Sequence, residues 1–307
     1  MHQLDLSRHS PLLDPHLHVW GWEIPVYLFL GGMAAGAMIL VPLLSARATP
    51  SRTLARLGLL APGLVSVGML ALLLDLGHKL HAWRFYLAFR WTSPMSWGAW
   101  ILVAVYPISL LFALAVLDPA DLEALLARVP RLAGPLRALR AWAVARMAGL
   151  RRASVVVGAG LGVYTGILLS ALGARVLWSS TVLGPLFLAS GVSAGAALLV
   201  LFRLEAAERA WLVRVHLGAL LAEAALLALF VLGHATGGAE GQAALALLTR
   251  GPYAVAFWGL VVGAGLALPA LLEALEHRLH RLAALAPGLV LAGGLALRWV
   301  VVAAGQR

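Results

Sequence analysis

A chain of 307 residues that is 62% hydrophobic and only 12% charged is no ordinary water-soluble domain. Its net charge of +10 raises the question of nucleic acid, but the basic residues fall mainly in alternate loops between apolar runs. The lack of any cysteine excludes thiolate-held iron–sulfur clusters, c-type haem, thiolate zinc and disulfides, so redox chemistry would need a bound organic cofactor or His-held haem.

A membrane crossing needs about 20 apolar residues. Windows of that size place helices near 24–46, 54–77, 97–117, 155–173, 181–202, 214–235, 252–272 and 283–303. A polar, His-rich leader precedes the first, which is too long for a signal peptide and serves as its own insertion signal. Glu23 opens this helix, and the small-residue run Gly32 to Gly36 lies inside it. The second helix ends in Asp75 and His78, with His81 just beyond and solvated. After the third comes the longest polar break, 118–152, whose Ala, Leu and Arg suit an amphipathic surface segment. Tyr164 and Thr165 lie midway along the fourth helix and Arg175 closes it. In the sixth, His216 reads as interfacial, Glu223 as a proton path or an interhelical hydrogen bond, and His234 as the helix end. Arg298 approaches the end of the eighth.

Loops after helices one, three, five and seven hold 15 of the 23 Lys and Arg residues. Positive loops stay in the cytoplasm, so both termini are expected outside, and the surplus charge suits anionic headgroups. In this topology Glu23, Asp75, His78, Arg175, His234 and Arg298 gather near the outer face. Trp20, Trp22, Trp83, Trp91, Trp97 and Trp178 share that level, where an interfacial belt explains most of them. Snorkelling is the competing reading for Arg175 and Arg298, and a hydrogen bond to a backbone carbonyl is that for Tyr164.

An internal repeat is legible. Gly32, Ala35, Gly36, Ala37 and Leu40 match Gly191, Ala194, Gly195, Ala196 and Leu199 at constant offset, and Leu76-Gly77-His78 echoes Leu232-Gly233-His234. An offset of four helices implies a parallel repeat. The expected fold is all-α, with eight transmembrane helices in two four-helix bundles. Residues 1–117 form the first part of bundle one, 118–152 an amphipathic cytoplasmic loop, 153–175 the helix completing that bundle, and 176–307 bundle two. Asp75 has no counterpart at Val231, which centres a single site on bundle one. Carboxylates, a tyrosine and a histidine beside apolar helices suit a quinone, whose ring carbonyls need hydrogen-bond and proton partners.

The motifs together resemble the NrfD/PsrC family. They are the run Trp20-Gly-Trp-Glu-Ile-Pro-Val-Tyr-Leu-Phe-Leu-Gly-Gly-Met-Ala-Ala-Gly36, Asp75-Leu-Gly-His78, Ser93-Pro-Met-Ser-Trp-Gly-Ala-Trp100, Tyr164-Thr-Gly-Ile-Leu-Leu-Ser170, Pro185-Leu-Phe-Leu188, Ser193-Ala-Gly195, Arg298 and Ala304-Gly-Gln306. The resemblance spans essentially the whole sequence. It implies a quinone-binding membrane anchor of a respiratory oxidoreductase complex in a prokaryotic inner membrane. Menaquinone or ubiquinone is then the cofactor, with no haem or iron–sulfur cluster in this subunit. The implied partners are a ferredoxin-like [4Fe–4S] subunit and a molybdopterin catalytic subunit. Tyr164 and Asp75 match quinone-site positions, and Glu23 stands where the family has a polar pocket group. His78, Thr165, Arg175, His234 and Arg298 complete the candidate cofactor set. The long 118–152 segment departs from the shortest members. Two other readings fit the residues: a secondary transporter, and a b-type cytochrome with His78 and His234 as axial ligands.

Overall fold

The computed structural model describes residues 20–47, 50–77, 79–87, 89–171, 175–275, 282 and 284–307, and every regular element among them is helical. The expectations placed on His78 lie outside the described residues. Among the described residues, eight helices are long and apolar enough to cross a membrane.

The first, α1 (Glu23–Ser45), has 23 residues, about 34 Å at 1.5 Å per residue, enough for a hydrocarbon layer of about 30 Å. The second crossing, Arg52–Asp75, is divided into α2 (Arg52–Leu57) and α3 (Leu60–Asp75). Pro62 has no N–H to offer the Gly58 carbonyl, and a side chain on Gly58 would lie 3.1 Å from Ala113. The third, α4 (Pro94–Val116), starts on a proline whose missing N–H costs nothing at a helix start.

The expected amphipathic segment is two short helices, α5 (Pro119–Arg128), capped by the Asp118 side chain, and α6 (Ala133–Ala145). The fourth crossing, α7 (Met147–Ser170), begins several residues before the 155 expected from hydropathy. Arg151 and Arg152 hid its start, although Arg151 donates to the Ser45 carbonyl at 2.7 Å inside the packed helix end.

The fifth is α8 (Leu183–Val200). The sixth, α9 (Ala206–Thr236), is longer than expected and opens with a capping box between Glu205 and Glu208. Glu208 also accepts from the Ser51 N–H at 2.9 Å and its hydroxyl at 2.8 Å, tying the α9 start to the α2 cap. A further helix, α10 (Gly238–Thr249), follows in a stretch whose low hydropathy contrast gave no warning of it. The seventh crossing combines a π-helical run, Ala256–Ala267, with α11 (Leu268–Ala274), and α12 (Ala286–Gly305) is the eighth.

Contacts group α1, α3, α4 and α7 on one side, and α8, α9, the π-helical run with α11, and α12 on the other. The seam is α1, α7 and α8, with α12 also touching α1. Accordingly α1, α8 and α12 are the most enclosed crossings. Large apolar side chains such as Val67, Leu70, Leu221 and Leu229 stay exposed, as a bilayer-facing surface requires.

The two glycine motifs meet at the seam. An added side chain on Gly36 would overlap the Gly191 carbonyl, one on Gly191 would lie 2.7 Å from the Gly32 carbonyl, and one on Gly195 would be 2.8 Å from Gly36. Gly32 faces Gly191 and Gly36 faces Gly195, so α1 and α8 run in the same direction in matched register. At one face the start of α1 and the end of α12 are joined: the Trp20 N–H donates to Gln306 Oε1 at 2.9 Å, and Gln306 Nε2 returns a bond to the Trp20 carbonyl at 3.0 Å.

Candidate functional site

Tyr27 and Tyr164 come together in the first bundle. Tyr27, from α1, is 4% exposed, and its ring edge lies where α3 narrows to Gly68. Tyr164, from α7, is similarly buried, and the two phenols lie close enough to interact electrostatically, with Tyr86 of the 3₁₀ turn Lys79–Tyr86 in reach of both. The tip of Tyr164 rests on Gly98 of α4: an added side chain there would overlap the hydroxyl oxygen and the ring carbon that bears it. Only a residue without a side chain admits the phenol at that depth.

Glu23 and Asp75 face each other electrostatically at the same end of the bundle. Both are half-buried. The Glu23 carboxylate folds back over Gly21, so closely that a side chain there would overlap Oε2. A loop caps this end: the Arg90 N–H donates to Ser96 Oγ at 3.0 Å and Trp97 Nε1 to the Trp91 carbonyl at 2.9 Å. Phe89 packs edge-on against Trp91, Trp97 and Trp100. Trp22, Trp83, Trp91 and Trp97 are exposed, as a belt requires. Trp178 is not part of that belt. It is 3% exposed, stacks on Trp20 and donates to the Val301 carbonyl at 2.8 Å.

Thr165 is fully buried, with its hydroxyl donating to the Gly162 carbonyl at 2.8 Å and its methyl toward Gly31. It packs α7 against α1 one residue from Tyr164.

The remaining candidates lie elsewhere. Arg298 is 0% exposed, so it does not snorkel. Its guanidinium donates to the Leu28, Gly294 and Phe187 carbonyls and to Ser190 Oγ, at 2.9–3.3 Å, and lies 5.1 Å from the Phe187 ring centre. It sits across α1 from Tyr27, behind Gly32. His234 lies with Nδ1 2.8 Å from the Phe230 carbonyl and Nε2 3.3 Å from the Val176 carbonyl, so both ring nitrogens point at backbone oxygens rather than at an open space. Arg175 is half-buried, and its carbonyl accepts from the N–H groups of Trp178 and Ser179, shaping the loop before α8.

His216 also corrects an expectation. It is 2% exposed rather than interfacial, with Nδ1 2.6 Å from Glu273 Oε1. Hydropathy placed it near a helix end, but α9 begins eight residues earlier than expected and carries it into the bundle. Tyr27, Tyr86 and Gly98 were not singled out from sequence. Their signal was proximity to recognised motifs, while their convergence depends on how three helices are rotated.

In chemical terms the first bundle presents two phenolic hydroxyls and two carboxylates at one end of an apolar enclosure. Such groups donate hydrogen bonds and exchange protons beside an apolar ligand. The sequence matches the family described as "Polysulphide reductase, NrfD" over residues 11–307. It is 35% identical to the C subunit of polysulfide reductase from Wolinella succinogenes, over 94% of each protein. It is 33% identical to Protein NrfD of Escherichia coli over 94% of this sequence and 95% of that one, and 28% identical to the Protein NrfD homolog of Haemophilus influenzae over 87% and 86%. Eight apolar crossings, an aromatic and carboxylate cluster at one bundle end, and similarity along nearly the full length place this integral membrane protein in the polysulphide reductase, NrfD family.

Proposed function

We propose that this protein is the quinone-interacting membrane subunit of a respiratory oxidoreductase complex. The observation that carries the reading is the pairing of Tyr27 and Tyr164 over Gly98, at the bundle end that also holds Glu23 and Asp75. A bound quinone supplies two-electron, two-proton chemistry, and the residues present fit one. Tyr164, with Tyr27 behind it, offers a hydroxyl to a ring carbonyl, and Gly98 sets its depth. Asp75 and Glu23, at the end of the bundle nearest solvent, are placed to pass protons between the ring and the outside. The exposed apolar flanks of α3 and α4 suit an isoprenoid tail. His78 belongs with Asp75 in this proposal, whereas Thr165, Arg175, His234 and Arg298 hold the helices that shape the enclosure.

The placement of Lys and Arg supports putting the termini, and hence this site, on the outer side of a prokaryotic inner membrane. The matched packing of Gly32–Gly36 on Gly191–Gly195 supports the parallel repeat. A relative described as one component of polysulfide reductase supports partner subunits. We assign the partners as a [4Fe–4S] protein that receives or delivers electrons and a molybdopterin enzyme beyond it.

The test is purification of the tagged protein from its own membrane in mild detergent, with quinone, iron and molybdenum measured in the eluate. The expected result is stoichiometric quinone and iron with molybdenum. Tyr164→Phe should retain iron while quinol-linked turnover falls about a hundredfold, the scale of a lost acid–base group. Full turnover in both Tyr164→Phe and Asp75→Asn would overturn the assignment.

A further inference from the structure

The second bundle contains ionisable groups that the tyrosine site does not use. His216 and Glu273 form a pair at 2.6 Å between α9 and α11. Their side chains are 2% and 10% exposed. His216 Nε2 and Glu273 Oε2 are both buried without a hydrogen-bond partner among the described residues, as is Ser193 Oγ on α8. Glu223 stands seven residues beyond His216 on the same face of α9 and is 5% exposed. It is in electrostatic reach of Arg298 and His216, near Ser190 of α8. Ser190 in turn accepts from Arg298 at 2.9 Å.

The groups therefore form a line. It starts toward the face where Ser51 meets Glu208 and rises past His216 and Glu223 to Ser190 and Arg298, which contacts the α1 backbone at Leu28. The tyrosine pair begins at the preceding residue on α1, Tyr27. Arg298 makes its hydrogen bonds to carbonyls and a hydroxyl, so its charge is held whether or not Glu223 is ionised. A carboxylate whose counter-charge is secured independently can gain and lose a proton without disrupting the packing. About 10 Å of helix separates His216 from Glu223, and buried polar atoms unsatisfied by protein are where ordered water binds. Other charged groups on adjoining elements are committed or distant: Glu208 is bonded to Ser51, Glu240 of α10 is exposed beyond the far end of α9, and Glu23 faces Asp75 across the first bundle.

We propose that Glu223 is a proton-loading carboxylate, reached through the His216–Glu273 pair from the membrane face opposite Trp20 and Gln306. A proton arriving from that face binds the pair, leaves it, and is taken up by the Glu223 carboxylate. No bond between heavy atoms changes. Its coupling to electron transfer, through Arg298 and α1, rests on the quinone reading above; the loading site itself does not.

The test is infrared difference spectroscopy of the full-length protein in nanodiscs across a pH titration. Wild type should show a protonated-carboxyl band that titrates and is lost in Glu223→Gln. In Glu273→Gln and in His216→Gln the band should persist, with its midpoint shifted by about one pH unit, the size expected from a charge roughly 10 Å away. A spectrum unchanged by Glu223→Gln overturns the proposal, and if that variant does not fold, an unmoved midpoint in both others does so. In liposomes bearing the whole complex, Glu223→Gln should keep quinol turnover but lose at least half of the protons moved per electron. A titrating band in a protein that binds no quinone would instead retain the loading site and remove the quinone reading.

Discussion

Gly98 acts by lacking a side chain. A methyl group there occupies the space of the Tyr164 phenol, so Gly98→Ala should cost about 1–3 kcal/mol of overpacking and lower quinol-linked turnover roughly tenfold. Because both changes act on one hydroxyl, adding Gly98→Ala to Tyr164→Phe should cost little more activity than Tyr164→Phe alone. Additive losses in a double-mutant cycle would show that the glycine acts elsewhere. Arg298 makes the opposite case, a large charged residue in a wholly enclosed place. Arg298→Met frees the carbonyls of Leu28, Phe187 and Gly294 from a common donor, and Arg298→Lys cannot reach all of them. Thermal unfolding in detergent should report about 3–5 kcal/mol lost for the methionine variant. The sequence identifies Arg298 as unusual but leaves snorkelling open, because depth along a helix says nothing of which neighbour its face meets. Tyr27 escaped notice for the same reason: an amphipathic residue near a helix start is ordinary until a second phenol is found opposite it.

Among elements, apolar length alone located all eight crossings, since hydrocarbon admits few alternatives to a continuous helix. Their interruptions were less legible. The break at Gly58 needs both Pro62 and the nearness of Ala113, and the π-helical run Ala256–Ala267 lies where a side chain on Gly265 would be 2.7 Å from the Gly293 backbone. Hydropathy averages over such local events. The α1–α8 seam was foreshadowed by its matching glycines, and it gives a clear expectation. Gly36→Leu would drive a side chain into the α8 backbone, which yields far less readily than a flexible group would. That variant should lose monodispersity on gel filtration, whereas Gly63→Leu, in open space, should not. At the membrane surface, Arg52 and Arg56 both bond Asp121 and hold its carboxyl far below the usual carboxylate range. A depressed folded-state pKa means the clamp between α2 and α5 is intact above about pH 4, the ordinary Asp value, and weakens as acidification approaches the folded value. Hydrogen exchange of α5 should therefore rise in Asp121→Asn at neutral pH, with the difference from wild type shrinking only in strong acid.

At the scale of the whole molecule, the two bundles carry different sets of polar groups. The first offers phenols and carboxylates near one face, and the second carries Glu223, His216 and Glu273 toward the other. Rigid helices at the seam, α1 above all, place the two sets of groups back to back. The pairing of Trp20 with Gln306 adds a constraint of timing. A membrane protein is threaded from its beginning to its end, so the start of α1 enters the bilayer while its partner amide, at residue 306, does not yet exist. The latch can shut only once the eighth crossing is in place. Until then the first helix of the bundle waits with its entrance unfastened, and a polypeptide stopped just short of that amide is never fastened at all.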